Sequence, residues 1–493
     1  MYRQILNSTT TYILFICAIL LTVLMALSFL FAKFGFSIFI SIYGFVFFLL
    51  ILIYELRMQS SHKESSLLVP FIIISIPLQA ILIRTIPIML AAQLSIFLVI
   101  LFYLQIYSHQ NRHEYLRKIK FLFFPTIAFA ASIILSYFMA GNLQRNHYVF
   151  LLYLAGSVAY AYLACIYCKD IRNIKKILWA LIAVGVVQLP FLYAQSRGWT
   201  DWLPAEFKMF TSSTWGGSAS SVDVLRYGGM FGDYELLAEY LDMAVLFSIG
   251  IFIITPSKQE RFFALLSLGL ILIAGFYTGS RTFILGLGLG SVVMIFLMII
   301  KLGINRKLVN FLIIVSIVLL AILYLGTQEI FSGYVARFQN SQISLNNFDT
   351  RNIVWEKSFS LMRDLPFTGY GAWMKDIFIS TPGGNYDSPH SIYFWMFLTA
   401  GYPGLFAILI MVATPFIWTF RVLSNKKAAM YHTWAIVLIS VWVFWAANEI
   451  IIEFTRYPFY MDIIFFLLGI TASFYDLAFN KAIDSNEKSI LGN

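Results

Sequence analysis

The sequence predicts an all-α protein that crosses a membrane many times, and two observations lead to this fold class. Of the 493 residues, 60% are hydrophobic and only 12% are charged, about half the charged fraction of a typical soluble domain. Apolar runs near 20 residues recur along the chain, which is the length of a helix that spans a bilayer. The strands of outer-membrane barrels run to only about 10 residues and alternate in polarity, so a barrel is excluded.

Fourteen segments have the length and composition of a transmembrane helix. They are 11–31, 37–54, 67–83, 86–107, 121–140, 148–168, 177–194, 235–255, 262–279, 282–300, 311–326, 391–420, 432–451 and 459–476. The twelfth is interrupted by Gly401-Tyr402-Pro403-Gly404, so it fits either a half-helix followed by a full span or one long kinked helix. Only Arg84-Thr85 separates the third from the fourth, and the predicted total is therefore 12–14 spans.

The distribution of Lys and Arg predicts the orientation, because retained positive charge marks cytoplasmic loops. Four loops on one side hold three or four basic residues each, whereas the short loops on the other side hold one each, namely Lys33, Arg84, Arg145, Arg281 and Arg456. The rich loops contain Arg112, Arg117, Lys118 and Lys120, then Lys169, Arg172, Lys175 and Lys176, then Lys301, Arg306 and Lys307, and finally Arg421, Lys426 and Lys427. Both termini are therefore predicted to be cytoplasmic. The net charge of +10 is a topology signal, and no nucleic-acid partner is predicted.

Two segments are long, polar and external in this topology, 195–234 and 327–390. They divide the chain into four regions, which are N-terminal helices (1–194), a first external loop with central helices (195–326), a long external loop (327–390), and C-terminal helices with a cytoplasmic tail (391–493). Both loops are rich in Trp, Tyr, Gly and Pro, which is not the composition of a disordered segment. Their aromatic residues fit either an interfacial belt or stacking on sugar rings.

One of the six histidines, His390, lies where a long external loop meets a predicted helix. Four others fall in loops assigned to the cytoplasm, and His147 falls in a short external turn. An unperturbed imidazole titrates near pH 6.5 and accepts a proton at neutral pH. His390 is therefore a candidate general base, and the alternative is a histidine that caps the helix or lies at the interface.

Three arginines occur near the external surface in this topology. Arg226 precedes the eighth span, and Arg281 lies in a turn so tight that its guanidinium is expected at the outer membrane surface. Arg351 is predicted to open an amphipathic helix that ends at Pro366 and Gly369, with an apolar face of Ile353, Val354, Phe359, Leu361 and Met362. Arginine binds phosphate through paired hydrogen bonds, so these residues could bind a lipid-linked phosphate or pyrophosphate. The alternative is that they only extend to lipid headgroups, as interfacial arginines commonly do.

Acidic residues also occur inside the predicted spans, where a carboxylate is costly and is usually paired or functional. Glu235, Glu239 and Asp242 have helical spacing and share one face, so they either orient an arginine or bind an acceptor. Glu449, Glu453 and Arg456 form a second cluster, which is predicted to be an internal ion pair. The run "GLGLG" at 286–290 lies inside a span with no preceding strand, so it predicts close helix packing and not a phosphate loop.

Five motifs in order resemble the O-antigen ligase and O-antigen polymerase superfamily over roughly residues 226–410. They are "RYGGMFGD", "TGSRTF", "RNIVW", "PFTGYG" and "PHSIYFWMFLTAGYPG". Two departures from the family pattern are Ser391, where an asparagine commonly follows the histidine, and "GDYE", where an Asn-Pro-Asn-like stretch is usual.

The resemblance implies a GT-C-like membrane fold in the cytoplasmic (inner) membrane and a glycosyltransferase active at its periplasmic face. The expected donor is a glycan on polyprenyl pyrophosphate, and the acceptor is another glycan or a lipid core. The family implies no metal and no cofactor. Carried over by motif, Arg226 and Arg281 bind the donor pyrophosphate and His390 activates the acceptor hydroxyl. Further positions with expected supporting roles are Arg351, Tyr227 and Ser280 at the donor or loop, and Glu235, Glu239 and Asp242 at the acceptor or an arginine.

The predicted mechanism is direct displacement, which inverts the anomeric centre. Fixed arginines stabilise the leaving pyrophosphate, and His390 removes the acceptor proton. The competing prediction is a transporter or flippase of lipid-linked glycans, which would show repeated halves and ionisable groups near the middle of the membrane. A third is a membrane scaffold, for which His390 and Arg281 would be dispensable.

Overall fold

The computed structural model describes residues 112–168, 170–196, 227–231, 233–303, 309, 312, 346–382, 388–451 and 453–490. This part of the chain contains eleven helices and no strand. In chain order they are α1 (Arg112–Ala140), α2 (Arg145–Tyr167), α3 (Ile171–Ser196), α4 (Tyr234–Ile254), α5 (Lys258–Tyr277), α6 (Arg281–Leu302), α7 (Asn346–Arg363), α8 (Met374–Ser380), α9 (Ile392–Ser424), α10 (His432–Ile451) and α11 (Pro458–Ile490). Among the described residues nine helices, all but α7 and α8, are long and apolar enough to span a membrane. The predicted all-α polytopic fold is therefore confirmed.

These nine helices coincide with nine of the fourteen predicted spans. Apart from residue 312, the other five lie outside the described residues, at 11–31, 37–54, 67–83, 86–107 and 311–326. The total of 12–14 spans, the cytoplasmic termini and the GT-C-like arrangement stay predictions.

The core of the bundle is built around α4, whose side chains are all buried from Leu236 to Ile251. It packs against α3, α5, α6 and α10. Helix α11 is buried at least as completely and packs mainly against α2. In contrast, α6 exposes most of its apolar surface. A helix that is apolar on all sides is stable inside a bundle or against lipid, so the bundle has α4 at its centre and α6 at its rim.

The glycines of the "GLGLG" run let α6 approach its neighbours closely, as predicted. A Cβ placed on Gly286 would lie 2.2 Å from the Phe444 ring and 2.6 Å from an Asp242 carboxylate oxygen. A Cβ on Gly290 would lie 2.7 Å from Leu246, whereas one on Gly288 would meet no atom within 4 Å. Two of the three glycines are therefore required by packing.

Replacing Gly286 with alanine is expected to destabilise the bundle by about 1–3 kcal/mol, because the added methyl group overpacks the contact with α10. The matched control is Gly288→Ala, which fills open space and is expected to stabilise the helix by about 0.5–1 kcal/mol. Unfolding of both variants and the parent in the same detergent measures the difference. Equal midpoints for the two variants would contradict this account of the packing.

Helix α9 breaks at Gly401, which has φ +64° and ψ −152°. The first part, 392–400, is a half-helix, and the second part, 402–424, is long enough to span the membrane by itself. Of the two predicted arrangements for this segment, the structure has the half-helix followed by a full span. Since a half-helix of nine residues extends only about 13 Å, it carries the chain across one end of the bundle and not through it.

The break in α9 is stabilised by the loop that follows α7. The Tyr402 N–H donates to the Phe367 carbonyl at 3.1 Å, and the Tyr370 N–H donates to the Leu398 carbonyl at 2.8 Å. Backbone groups at membrane depth need a partner inside the protein. The "PFTGYG" motif therefore supplies partners that the broken helix cannot supply itself.

Pro403 creates a further need at the same break, because it has no N–H to bond the carbonyl of Thr399 four residues earlier. The Ser136 hydroxyl of α1 donates to that carbonyl at 2.5 Å. The end of α1 thus joins the loop and the half-helix in one hydrogen-bonded unit.

Helix α7 differs from its prediction in two respects. It begins at Asn346 and not at Arg351, and its buried face contains Val354, Lys357 and Ser358. Phe359 of the predicted apolar face is 54% exposed, although its ring meets Phe394 of α9 at 5.3 Å. The predicted face is confirmed for Val354, Leu361 and Met362, which pack against the core. It is not confirmed for Ile353 and Phe359, because apolar residues on a short surface helix need not all face the protein.

Candidate active site

The helix ends that carry the sequence motifs meet at one end of the bundle, here called the His390 end. The Tyr227 N–H donates to the Tyr277 carbonyl at 3.3 Å, which joins the segment before α4 to the end of α5. The Trp373 indole donates to the Gly141 carbonyl at 3.1 Å, which joins the loop before α8 to the α1–α2 turn. These contacts tie two of the motif-bearing segments to neighbouring helix ends.

His390 lies in a tight turn immediately before α9. Its φ is +50°, a left-handed conformation that costs a residue with a side chain about 1–2 kcal/mol. The neighbours Ser388, Pro389, Ser391 and Ile392 are buried, while His390 itself is exposed. The N-cap of α9 is Ser391, so His390 immediately precedes the N-cap position.

Ser391, which stands where the family commonly has asparagine, fastens this turn to α10. Its hydroxyl lies 3.5 Å from the Glu449 carbonyl. Two residues later, the Tyr393 hydroxyl donates to the Ala446 carbonyl at 3.0 Å. These contacts hold the turn that carries His390 against the last turn of α10.

Arg281 begins α6, and the helix register places it level with the same turn of α10. Gly286 adjoins both Asp242 of α4 and Phe444 of α10. Helix α6 runs antiparallel to α10. Moving five residues back along α6, from Gly286 to Arg281, therefore corresponds to moving five residues forward along α10, from Phe444 to Glu449. The start of α6 and the turn of His390 therefore both flank the end of α10. The Arg281 side chain itself lies outside the description.

The turn before Arg281 is buried by other described parts of the protein, and the position of the Arg281 guanidinium at the outer membrane surface stays a prediction. Thr278 and Ser280 are both buried, and the Ser280 N–H donates to the Thr278 hydroxyl at 3.3 Å. Ser280 is the N-cap of α6 but does not cap it with its side chain, and its hydroxyl contacts that of Thr282. The free N–H groups at a helix start favour anions.

The structure describes only parts of the motifs that contain Arg226 and Arg351. Arg226 lies outside the described residues, and of Arg351 only the helical backbone in α7 is described. Tyr227 is buried with its ring 6.3 Å from that of Tyr277, and burial raises the pKa of Tyr227. Tyr227 thus supports the segment that follows Arg226. The pyrophosphate-binding roles of Arg226 and Arg281 and the supporting role of Arg351 stay predictions.

Two of the three acidic residues of α4 are wholly buried. Glu239 and Asp242 are both 0% exposed, and the Asp242 carboxylate oxygens make no hydrogen bond within the described part of the chain. Glu239 adjoins Tyr460 of α11 and Asn448 of α10. Glu235 is half-buried nearer the helix start. Glu239 and Asp242 are both buried among helix neighbours, and their role at the acceptor or at an arginine stays a prediction.

The second acidic cluster contains the predicted ion pair and one contact that was not predicted. Arg456 and Glu453 are 3.3 Å apart, which confirms that pair. Glu449 instead accepts hydrogen bonds from the backbone and the hydroxyl of Thr455. The carboxylate of Glu449 therefore closes the α10–α11 turn beside the turn of His390.

Lys357 is a buried cation that the sequence interpretation missed. It is only 3% exposed, and its ammonium lies 4.8 Å from the centroid of the Phe378 ring of α8. Burial lowers the pKa of Lys357. Its spacing from Val354 and Ser358, three and one residues away, could have placed it on the buried face of α7. The contact fixes α7, and with it Arg351, against α8.

Within the described residues no three His, Cys, Asp or Glu side chains come together as a metal site. Metal independence stays a prediction of the resemblance. What the described geometry offers is an exposed imidazole, a helix start that begins with arginine, and a rigid turn of α10 between them.

Residues 262–409 match the family model described as O-antigen ligase. The matched segment includes Arg281, Arg351 and His390, while Arg226 and the acidic stripe of α4 precede it. Among curated proteins, none matches the chain.

Proposed function

We propose that this chain is a glycosyltransferase of the O-antigen ligase type, which transfers a glycan from polyprenyl pyrophosphate to an acceptor hydroxyl at the periplasmic face of the inner membrane. The match of residues 262–409 to the family model described as O-antigen ligase supports this proposal. The observation that carries the proposal is the position of His390 and the Arg281 helix start on either side of the last turn of α10. A base and an anion-binding group are the two parts that displacement of a pyrophosphate requires.

In the proposed reaction the acceptor oxygen forms a bond to the anomeric carbon while the bond from that carbon to the pyrophosphate oxygen breaks. The acceptor proton passes to His390, and the leaving group takes the bonding electrons as additional negative charge. Arg281 and the first N–H groups of α6 stabilise that charge. Attack from the face opposite the leaving group inverts the anomeric centre. Arg226 is assigned to the donor pyrophosphate together with Arg281, and Arg351 is assigned a supporting contact at the donor or the loop.

The buried carboxylates favour one competing function. Asp242 lies eight residues inside α4, about 12 Å from its start, and intramembrane carboxylates are a feature of transporters and proton relays. This observation supports the transporter or flippase alternative. A transporter needs a sealed membrane between two compartments, whereas an enzyme can act in detergent without one.

The test is to incubate the purified protein in detergent with a polyprenyl-pyrophosphate oligosaccharide and a hydroxyl acceptor. An enzyme is expected to give the elongated or ligated product without a sealed membrane, and EDTA is expected to leave the rate unchanged. Arg281→Gln is expected to reduce the rate by about 10²-fold or more, as for loss of a group that stabilises charge in a transition state. The matched control is Lys301→Gln at the other end of α6.

Product formed at the parental rate by Arg281→Gln would remove the role assigned to Arg281. No product with any acceptor in detergent, together with movement of the lipid-linked glycan in sealed vesicles, would replace the enzyme with the transporter.

A further inference from the structure

A groove lies at the end of the bundle opposite His390, between α9 and α11. It has a volume of about 720 Å³. Its walls include Phe416, Ile417 and Phe420 of α9 and Phe479 of α11, and its polar edge contains Arg421 and Tyr475. No part of the proposed transfer reaction uses this groove.

The depth of the groove matches the boundary between hydrocarbon and headgroups. Twenty residues separate Gly401, at the His390 end, from Arg421, which is about 30 Å along a helix and equals the hydrocarbon thickness of a bilayer. Phe420 and Ile417 are about half exposed and precede Arg421, so they face acyl chains. The groove is therefore apolar towards the bilayer centre and cationic at the headgroup level.

The charge at this edge is positive and held in place. The Arg421 guanidinium lies 3.4 Å from the Tyr475 hydroxyl, and the Tyr475 ring stacks on Trp418 at 6.0 Å with an interplanar angle of 20°. Lys426 and Lys427 follow within six residues. The neighbouring acid, Asp476, is buried, whereas Arg421, Lys426 and Lys427 are exposed, so the exposed charges described at this edge are basic.

We propose that this groove binds an anionic phospholipid of the leaflet opposite the His390 end. The phosphate lies against Arg421, which presents several N–H donors in a planar fork, and Lys426 and Lys427 contribute attraction at the headgroup level. The acyl chains lie along Phe416, Ile417, Phe420 and Phe479. The bound lipid joins α9 to α11 at the end of the bundle opposite His390. The hydrogen-bonded loop that fixes α9 at Gly401 lies at the other end.

The experiment measures the thermal midpoint of the full chain in detergent while phosphatidylglycerol or phosphatidylcholine is added. Phosphatidylglycerol is expected to raise the midpoint of the parent, and phosphatidylcholine is expected to have little effect. Arg421→Gln is expected to weaken the apparent affinity for phosphatidylglycerol by about 5- to 10-fold. The matched control is Lys301→Gln, an exposed basic residue at the same end of the bundle in α6, which is expected to behave as the parent.

Tyr475→Phe separates binding from local structure, because it removes the hydroxyl partner of Arg421 but keeps the charge. It is expected to retain the preference for phosphatidylglycerol. The proposal is overturned if both lipids raise the midpoint equally, if Arg421→Gln responds as the parent does, or if neither lipid acts, which would mean that another protein segment fills the groove. None of these measurements depends on glycan transfer.

Discussion

Replacing His390 with asparagine is expected to lower the rate of glycan transfer by about 10²- to 10⁴-fold, the usual contribution of a general base. The fold is expected to remain, because asparagine adopts the left-handed conformation of this turn more readily than most residues. Asparagine also keeps a polar side chain of similar reach but cannot take up the acceptor proton. The measurement is the transfer rate at saturating donor, with the thermal midpoint of each variant as the check on folding.

The strained turn offers a control that separates catalysis from stability. His390→Gly is expected to raise the free energy of unfolding by about 1 kcal/mol, since glycine adopts φ +50° without strain, and yet to lose transfer as completely as the asparagine variant. Asn142, in the α1–α2 turn, also has a positive φ, of 48°, so Asn142→Gly changes a comparable turn without touching the site. A His390→Asn variant that transfers glycan at the parental rate would refute the assigned role of His390.

The spans were predictable because bilayer thickness and hydropathy act on each segment separately. Apolar runs such as those of α4 and α10 must be helical, since no other backbone arrangement pairs all N–H and C=O groups in lipid. The glycine run of α6 was also correctly interpreted, because glycines at that spacing inside a span predict close packing. These inferences need no knowledge of which helices are neighbours.

The parts that could not be predicted depend on contacts between distant segments. Nothing near Ser391 in the sequence indicates that its hydroxyl approaches the carbonyl of Glu449, 58 residues later. Lys357 was missed because its partner is the Phe378 ring of another helix. The start of α7 was placed five residues late because polar residues precede Arg351, and the apolar pattern used to find the helix begins only after it.

The site also explains why the family motifs are so widely spaced along the chain. The motif that contains Ser280 and Arg281 starts one helix, the histidine starts another, and "PFTGYG" contributes no catalytic group. Its role in the structure is to supply backbone partners at the break in α9. The motifs therefore comprise two kinds of element, side chains for the proposed chemistry and a backbone clamp that fixes the half-helix on which His390 depends.

Replacing Gly401 with alanine tests that clamp and is expected to have the largest effect on stability. A Cβ at this position would lie 1.9 Å from the Phe367 carbonyl oxygen, and the φ of +64° is already unfavourable for any residue with a side chain. Either the loop moves away, which breaks the hydrogen bond from the Tyr402 N–H to the Phe367 carbonyl, or α9 straightens. Each unpaired backbone group at membrane depth costs several kcal/mol, so a loss of at least about 3 kcal/mol is expected.

Gly269→Ala in α5 is the matched control, since its Cβ would meet no atom within 4 Å. It is expected to unfold at or slightly above the parental midpoint. The clamp also predicts which function is lost first. Below the unfolding midpoint, Gly401→Ala should bind donor through the α6 start with little change in KM but transfer slowly, because the displaced half-helix moves His390 relative to the end of α10. A variant with the parental midpoint and parental kcat would show that the loop does not hold the half-helix in place.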